Sequence, residues 1–517
     1  MNRSYCNSCQ KLVPAEGVER DGRVFLVKNC PDCGQTETLV SNHARRYFAK
    51  QSLDGEHHYR GCALNCPTCR HADRPTYAFI NITSRCNLNC PICVDGVPAI
   101  GFLFEPPLEY FDKIFRHLAS SEPLPTIALF GGEPTVRKDL FDIIDLAQSY
   151  GLKTRILTNG LRLADEEFCR KLVATRTVIL MSYDGSNPET YRVLRGTPKA
   201  LQIKQRALET LARVSRTRHV RLSLIACFGW GLNEGELPEL LKFCHGQRAF
   251  LRDLYLMPLT KTWDTSEWKY DPRRMTTEDV EQFVADAFPG YNVDFIPVGF
   301  VAGFKRVTRY VGQSSLPYKG AHPNCESMYL LISDGEKYVP IAHFLKGSGS
   351  LVEFSRAFKE LEDRLAAREN RWQTGLVGRV LGAVRLRRPV LALLGAMAVL
   401  RLLVRHVRLG RIFKGWGPLK LVHALMMPLE MALGCSGRKV MARHTNVQGH
   451  LQLIILPLED DQIIETNRLE RCPTAHAYYD PRADKVKYVP VCAWRLHNKG
   501  VMREIADYYA ARTPSAC

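Results

Sequence analysis

Between residues 76 and 260 the sequence alternates two kinds of segment, and this alternation constrains the fold more than any other feature. YAFINIT, TIALFGGEP, KTRILTNG, TVILMSYDG, HVRLSLIACF and LRDLYLMPLT are rich in β-branched and aromatic residues and read as strands. LEYFDKIFRHLAS, LFDIIDLAQSYG, EEFCRKLVA, KALQIKQRALETLARVS and LPELLKFCHG fall between them with helical periodicity. Strands joined by helices pair in parallel, with the helices covering the sheet. Six such units predict an α/β fold built on a partial (β/α)6 TIM-type barrel. Reactive groups are then expected at the C-terminal ends of the strands.

The chain has 517 residues and 18 cysteines, many in short clusters. A disulfide scaffold is usually a small secreted domain, which this is not. The start MNRSYCNSCQ lacks the apolar core of a signal peptide. A reducing, cytoplasmic setting follows, where clustered cysteines bind metal more often than each other.

Three clusters stand out. Cys86, Cys90 and Cys93 lie directly after the first barrel strand. Three thiolates suit a four-iron, four-sulfur cluster with one iron left open, since full ligation takes four. Cys6-x2-Cys9 and Cys30-x2-Cys33 have the spacing of a tetrahedral knuckle for zinc or a single iron. Cys62, Cys66 and Cys69 repeat the three-cysteine spacing ahead of the barrel and read as an auxiliary [4Fe-4S] site, or a structural zinc site. Cys325, Cys435, Cys472 and Cys492 are candidates to complete it or to hold a further cluster. Cys472 and Cys492 are favoured, because both lie in strand-like sequence far from any predicted helix. Cys169, Cys227 and Cys244 lie on element faces and read as core thiols.

The expected organisation is a knuckle domain at 1–45, an auxiliary cluster segment at 46–75 and the barrel at 76–300. A hairpin and helix follow at 301–370, a basic helical insertion at 371–435 and a C-terminal iron–sulfur extension at 436–517. The net charge is +18, and Asn370 to Pro428 holds eleven Lys and Arg with no Asp or Glu. Within it PVLALLGAMAVL is apolar for twelve residues, about 18 Å of helix against a bilayer core of about 30 Å. Arg401, Arg405 and Arg408 follow on one helical face. LVHALMMPLEMAL supplies a second apolar piece, so a hairpin lying on a membrane surface is expected. Aromatic interleaving is sparse, so nucleic acid is not expected.

The motif CNLNCPIC (Cys86 to Cys93) resembles the signature of the radical S-adenosylmethionine superfamily, and FGGEP, LTNG and SYDG match further motifs in order. The resemblance implies a [4Fe-4S] cluster on Cys86, Cys90 and Cys93 that binds S-adenosylmethionine. It implies that Gly131, Gly132 and Glu133 line the amino end of that cofactor, and that Asn159, Asp184 and Arg195 meet its ribose and carboxylate. It also implies a low-potential electron donor, a ferredoxin or flavodoxin. The wider cysteine layout, with HPNCESMYLLISDGEKYVPIAHFL and LERCPTAHAYYDPRADKVKYVPVCAW, is similar to the group holding tetraether lipid synthase and pterin methylases. The basic insertion tips the expectation to a lipid substrate, peripheral membrane contact and radical C–C coupling of alkyl or acyl chains. The alternative is a radical methylase of a pterin-like or other soluble heterocycle.

Overall fold

The computed structural model describes residues 2–55, 57, 59, 61–64, 66, 75–261, 272–306, 318, 320–375, 387–432 and 437–512. Two compact units emerge: Met1–Phe48, Gly55–Phe283 and Ile454–Cys517 form one, and Ala49–Asp54 with Val284–Leu453 the other.

The first unit begins with an antiparallel sheet of β1 (Arg3–Tyr5), β2 (Leu12–Arg20), β3 (Arg23–Cys30) and β4 (Gly34–Ser41), in that order. Asp21 and Gly22 close the β2–β3 hairpin, both at positive φ, as a two-residue turn of right-handed twist requires. Helix α1 (Ala44–Gln51) follows and packs Ala44 and Tyr47 on Val24.

The parallel sheet consists of β5 (Tyr77–Thr83), β6 (Thr126–Gly131), β7 (Lys153–Thr158), β8 (Val178–Ser182), β9 (Leu222–Phe228) and β10 (Leu251–Pro258). Each strand pairs in parallel with the next, so the six expected units are present in sequence order. The connecting helices are α2 (Leu108–Ala119), α3 (Leu140–Ser149), α4 (Glu166–Ala174), α5 (Pro188–Arg195), α6 (Lys199–Ser215) and α7 (Leu237–Gly246). Their apolar stripes face the sheet. On α2, Tyr110, Phe111, Ile114, Phe115 and Leu118 are buried at helical spacing. Asp165 caps α4, accepting from the N–H groups of Glu167 and Phe168.

The end of the chain extends this sheet. After the hairpin partners β11 (Ile296–Pro297), β12 (Ser327–Ser333) and β13 (Tyr338–Pro340), and β14 (Gly449–Ile455), strand β15 (Thr474–Asp480) joins β5 in parallel. Strand β16 (Lys485–Pro490) returns antiparallel to β15 and leads into the helix Val491–Ala510. Cys472 therefore lies two residues beyond the short helix Thr466–Glu470, and Cys492 sits in the first turn of the final helix. This corrects the expectation that both are far from helices. Pro490 ends the strand and supplies the N-cap position of that helix, and VPVC reads as strand only because Val is shared by both patterns.

In the second unit β12 and β13 form a hairpin; of GEKYVPIAHFL, expected as a hairpin, only Tyr338–Pro340 is strand, and Ile341–Phe344 is a 3-10 helix. The helix Leu351–Thr374 is capped by Ser350, and Asp294 accepts from the Leu351 N–H at 2.8 Å. It packs Leu361 and Leu365 against Val399 and Leu402 of the helix Arg387–His406. The helices Gly417–Ala432 and Gly437–His444 follow. Among the described residues no helix is long and apolar enough to cross a membrane.

Phe111 is fully buried beneath the Arg137 guanidinium, 5.0 Å from its ring centre, and stacks on Phe115. Phe111→Ala should cost about 3–5 kcal/mol, measured by denaturant unfolding of the full chain.

Candidate functional site

Strand β5 delivers the three-cysteine loop. The hydroxyl of its last residue, Thr83, donates to Glu105 Oε1 (2.7 Å) and accepts from the Arg85 N–H (2.9 Å). The turn after β6 then grips the loop from the side. Gly132 N–H donates to the Thr83 carbonyl and Glu133 N–H to the Arg85 carbonyl, both at 2.7 Å. No side chain fits in this contact. A Cβ on Gly131 would meet the Thr83 oxygen at 2.4 Å, and one on Gly132 the Arg85 oxygen at 2.1 Å. Gly131 also sits at φ +118°. The sequence suggests that these glycines let backbone approach a ligand. In the structure they let one loop's backbone approach the other's.

Glu133 is buried, and protein donors surround its carboxylate. Oε1 accepts from Thr135 N–H (3.0 Å), Thr135 Oγ1 (2.6 Å) and Thr158 Oγ1 (2.7 Å), and Oε2 from Asn159 N–H (2.6 Å). It fastens the end of β6 to that of β7. The Asn159 side chain donates to Asn87 Oδ1 at 2.7 Å, inside the three-cysteine loop.

Asp184 follows β8 and is closed from solvent. Arg195 meets it with two prongs, Nε to Oδ2 and Nη2 to Oδ1, each at 2.7 Å, and the Cys227 N–H adds a third bond at 3.1 Å. Burial opposes the Asp184 charge, but Arg195 outweighs it and holds the carboxyl below its usual range. Asp184 therefore orients Arg195, and Arg195 keeps a partly exposed edge and feels the field of Cys90. Gly196, at φ +76°, places its α-carbon where a Cβ would lie 2.8 Å from the Asn89 carbonyl oxygen, so the end of α5 also rests on the cysteine loop.

Two features were not anticipated from sequence. Lys204 stands on the buried stripe of α6 and spends all three hydrogens on oxygens: Asn159 O (2.6 Å), Ser182 O (2.6 Å) and Ser182 Oγ (2.7 Å). Burial, and then Arg195, push its pKa down to about 7. The visible signal is a lysine among Leu201, Leu208 and Leu211 on one helical face. The second feature is a buried network at Asp95, two residues past Cys93. Its carboxylate accepts from Asn81 Nδ2 (2.7 Å) and Trp494 Nε1 (2.9 Å), and its carbonyl from Asn498 Nδ2 (2.9 Å). The Asn81 oxygen takes the Nδ1–H of His476 (2.8 Å), which burial keeps neutral, and the His476 ring stacks on Trp494 at 4.4 Å. Arg495 reaches the Cys93 carbonyl at 3.4 Å. No local pattern reveals these contacts, since their two halves lie about 400 residues apart.

The radical SAM superfamily model matches residues 80–244, which contain the cysteine loop, the Gly-Gly-Glu turn and the Asp184–Arg195 pair. Residues 80–244 are a radical S-adenosylmethionine domain. A second model, the HMPTM N-terminal zinc ribbon domain, matches residues 2–42. The 7,8-dihydro-6-hydroxymethylpterin dimethyltransferase of Methanocaldococcus jannaschii is 29% identical over 373 residues, covering 69% of this chain and 73% of that protein. The GTP 3′,8-cyclase of Nautilia profundicola is 29% identical over 198 residues, 35% of this chain and 56% of the cyclase. Among solved structures, Streptococcus suis SuiB bound to S-adenosylmethionine aligns with a TM-score of 0.34 at 17% identity, over 41% of this chain and 47% of SuiB.

A radical SAM domain implies a [4Fe-4S] cluster, which the thiols of Cys86, Cys90 and Cys93 would hold. Cys86 is exposed, while Cys90 and Cys93 are half-buried. Burial pushes the Cys93 thiol up to about 11, and a bound cation would offset this by favouring the thiolate. The ribbon is arranged for a single ion. The sulfurs of Cys6, Cys9, Cys30 and Cys33 all lie within 4.8 Å of one another, with Cys9 and Cys30 at 3.7 Å. A tetrahedron of about 2.3 Å metal–sulfur bonds has edges of about 3.8 Å.

The remaining cysteines divide. Cys62 and Cys66 are buried. The Cys62 N–H donates to Glu470, two residues before Cys472, and Leu64 contacts His497 through its backbone. The paired residues Ala475 and Pro490 set Cys472 and Cys492 at the same end of the β15–β16 hairpin. Cys62 is thus held beside the segments carrying Cys472 and Cys492. Cys69 and Cys435 lie outside the described residues. Cys325 belongs to the second unit, where its N–H donates to the His322 carbonyl. Cys169, Cys227 and Cys244 are buried, as expected of core thiols.

Gly132→Ala forces the Gly-Gly-Glu turn off the loop. The purified protein should lose the iron of the Cys86/Cys90/Cys93 site and keep the metal of the ribbon, read by metal analysis of anaerobically reconstituted samples. Asp184→Asn leaves Arg195 without its counter-ion in a buried site and should cost about 3–5 kcal/mol, with weakened S-adenosylmethionine binding measured by calorimetry.

Proposed function

We propose that this chain is a radical S-adenosylmethionine methylase that replaces hydrogen at an unactivated C–H position of a pterin-like heterocycle with a methyl group taken from further S-adenosylmethionine or another one-carbon donor. The observation that carries this reading is the similarity to the Methanocaldococcus jannaschii pterin dimethyltransferase, which extends well outside the radical SAM domain to 69% of the chain. The match of residues 2–42 to the HMPTM zinc ribbon supports it at the other end. This displaces lipid C–C coupling from the leading place that the sequence expectation gave it.

In this reading Cys86, Cys90 and Cys93 hold the cluster. When reduced by a low-potential ferredoxin or flavodoxin, the cluster with bound S-adenosylmethionine supplies a 5′-deoxyadenosyl radical able to take hydrogen from carbon. The chain's own groups position and shield. Arg195, aimed by Asp184, offers cationic N–H groups to a carboxylate beside Cys90. Asn159, fixed by Glu133 and Lys204, holds the loop through Asn87. The Asp95 network seals the far side of the loop with Trp494 and keeps water from the reacting centre. Cys62, Cys66 and Cys69, completed by Cys472 or Cys492, are the ligands proposed for an auxiliary cluster.

One observation favours a second reading, in which the substrate is a lipid alkyl or acyl chain. The helices between Met397 and Met426 expose Leu, Val, Met and Trp side chains beside arginines. A soluble heterocycle has no use for such a face.

The reconstituted enzyme, S-adenosylmethionine and dithionite should form 5′-deoxyadenosine, and Cys90→Ala should form none, by mass spectrometry. Adding a reduced hydroxymethylpterin should give products heavier by one or two methyl groups. If the pterin is unchanged and 5′-deoxyadenosine rises only with lipid extract, the second reading replaces the first.

A further inference from the structure

We propose that the helices Arg387–His406 and Gly417–Ala432, with the turn joining them, form a docking surface for an anionic lipid bilayer, whatever the substrate.

The exposed apolar side chains of the molecule are concentrated here. Of fourteen large hydrophobic residues that stand open to solvent among the described residues, nine lie between Met397 and Met426. Scattered exposed leucines are ordinary, whereas a contiguous set marks a binding face. The first helix has two apolar faces with different fates. Val399 and Leu402 are buried against Leu361 and Leu365. Met397, Leu400 and Val404, spaced three and four apart, share another face and are 40%, 58% and 48% exposed. On the second helix Leu421, Val422 and Leu425 repeat the arrangement, with Leu421 64% and Leu425 65% exposed. Trp416 stands at the turn, 71% exposed, between Gly415 and Gly417, both at positive φ. Lys420 Nζ donates to the Gly410 carbonyl at 2.5 Å, tying the start of the second helix to the end of the turn's first half.

Charge selects the occupant. From Asn370 to Leu429 there is no acidic residue, and eleven Lys and Arg are present. Arg401 and Arg405 are exposed and immediately adjoin Leu400 and Val404. A second copy of this surface would bring like charges together around its apolar centre. An anionic headgroup layer instead answers the arginines, the acyl boundary takes the Leu and Val side chains, and the interface suits an indole. Neither helix is long and apolar enough to cross, so the surface lies on the bilayer.

The test is co-sedimentation of the full reconstituted chain with phosphatidylcholine vesicles, with and without phosphatidylglycerol. The expected result is pelleting with the anionic vesicles only, reversed by salt. Leu421→Glu/Leu425→Glu should weaken partition more than tenfold with thermal unfolding and iron content unchanged. Arg401→Gln and Arg405→Gln should each weaken it about fivefold, or about 1 kcal/mol. The proposal is overturned if the protein stays in solution with both vesicles, or if it pellets equally with both and ignores the variants. It is also overturned if light scattering shows a dimer that Leu421→Glu/Leu425→Glu disperses while vesicles pellet nothing, or if a nucleic-acid duplex binds the same face in place of vesicles. Formation of 5′-deoxyadenosine is read separately, so failure here and failure of the enzymatic reading are distinct.

Discussion

Two backbone hydrogen bonds, from Gly132 to Thr83 and from Glu133 to Arg85, hold the reactive part of this molecule together. They join the ends of neighbouring parallel strands at a separation that only glycine permits. Everything that positions the cysteine loop builds on that contact. Glu133 carries it on to β7 through Thr158 and Asn159, and Lys204 carries it to β8 through Ser182. Arg195 and Gly196 close the ring from the far side. The strand ends thus behave as one rigid rim, and a cluster on that rim inherits its geometry from main-chain bonds.

The second support comes from the end of the sequence. Strand β15 lengthens the parallel sheet past its first strand, and the last helix lays Trp494 and Asn498 against Asp95. A buried carboxylate with this many donors fixes the exit of the cysteine loop as firmly as Thr83 fixes its entry. The N-terminal ribbon is tied to the same stretch, with Asn2 donating to Glu465 at 2.6 Å and Lys28 to the Gln462 carbonyl at 2.6 Å. Ribbon, barrel and C-terminal hairpin consequently pack as one unit.

Legibility in the sequence followed the range of the interactions. The six strand–helix units were readable because hydrophobic periodicity is local. Cys86, Cys90 and Cys93 stand out for the same reason, because spacing within one loop is local too. The ribbon's four cysteines were readable as two knuckles for the same reason. Asp95, His476 and Trp494 were not, because each looks like an ordinary buried residue until distant strands meet. Lys204 was half-visible as a cation on an apolar stripe. Gly131 and Gly132 stand out in the motif, but their contact with the backbone of Thr83 and Arg85 was not legible there. Cys492 was misplaced because Val and Pro suit a strand end and a helix start equally well. The substrate was the least legible. Charge and apolar content spoke for lipid, whereas the wider similarity of the chain speaks for a heterocycle.

The pairing of β15 with β5 has a consequence for the life history of the protein. During synthesis β5 and the cysteine loop leave the ribosome about 400 residues ahead of their neighbour β15 and the helix bearing Trp494. Until then the Asp95 side of the loop stays uncovered. The loop's two anchors, one local and one about 400 residues downstream, are therefore made at different times.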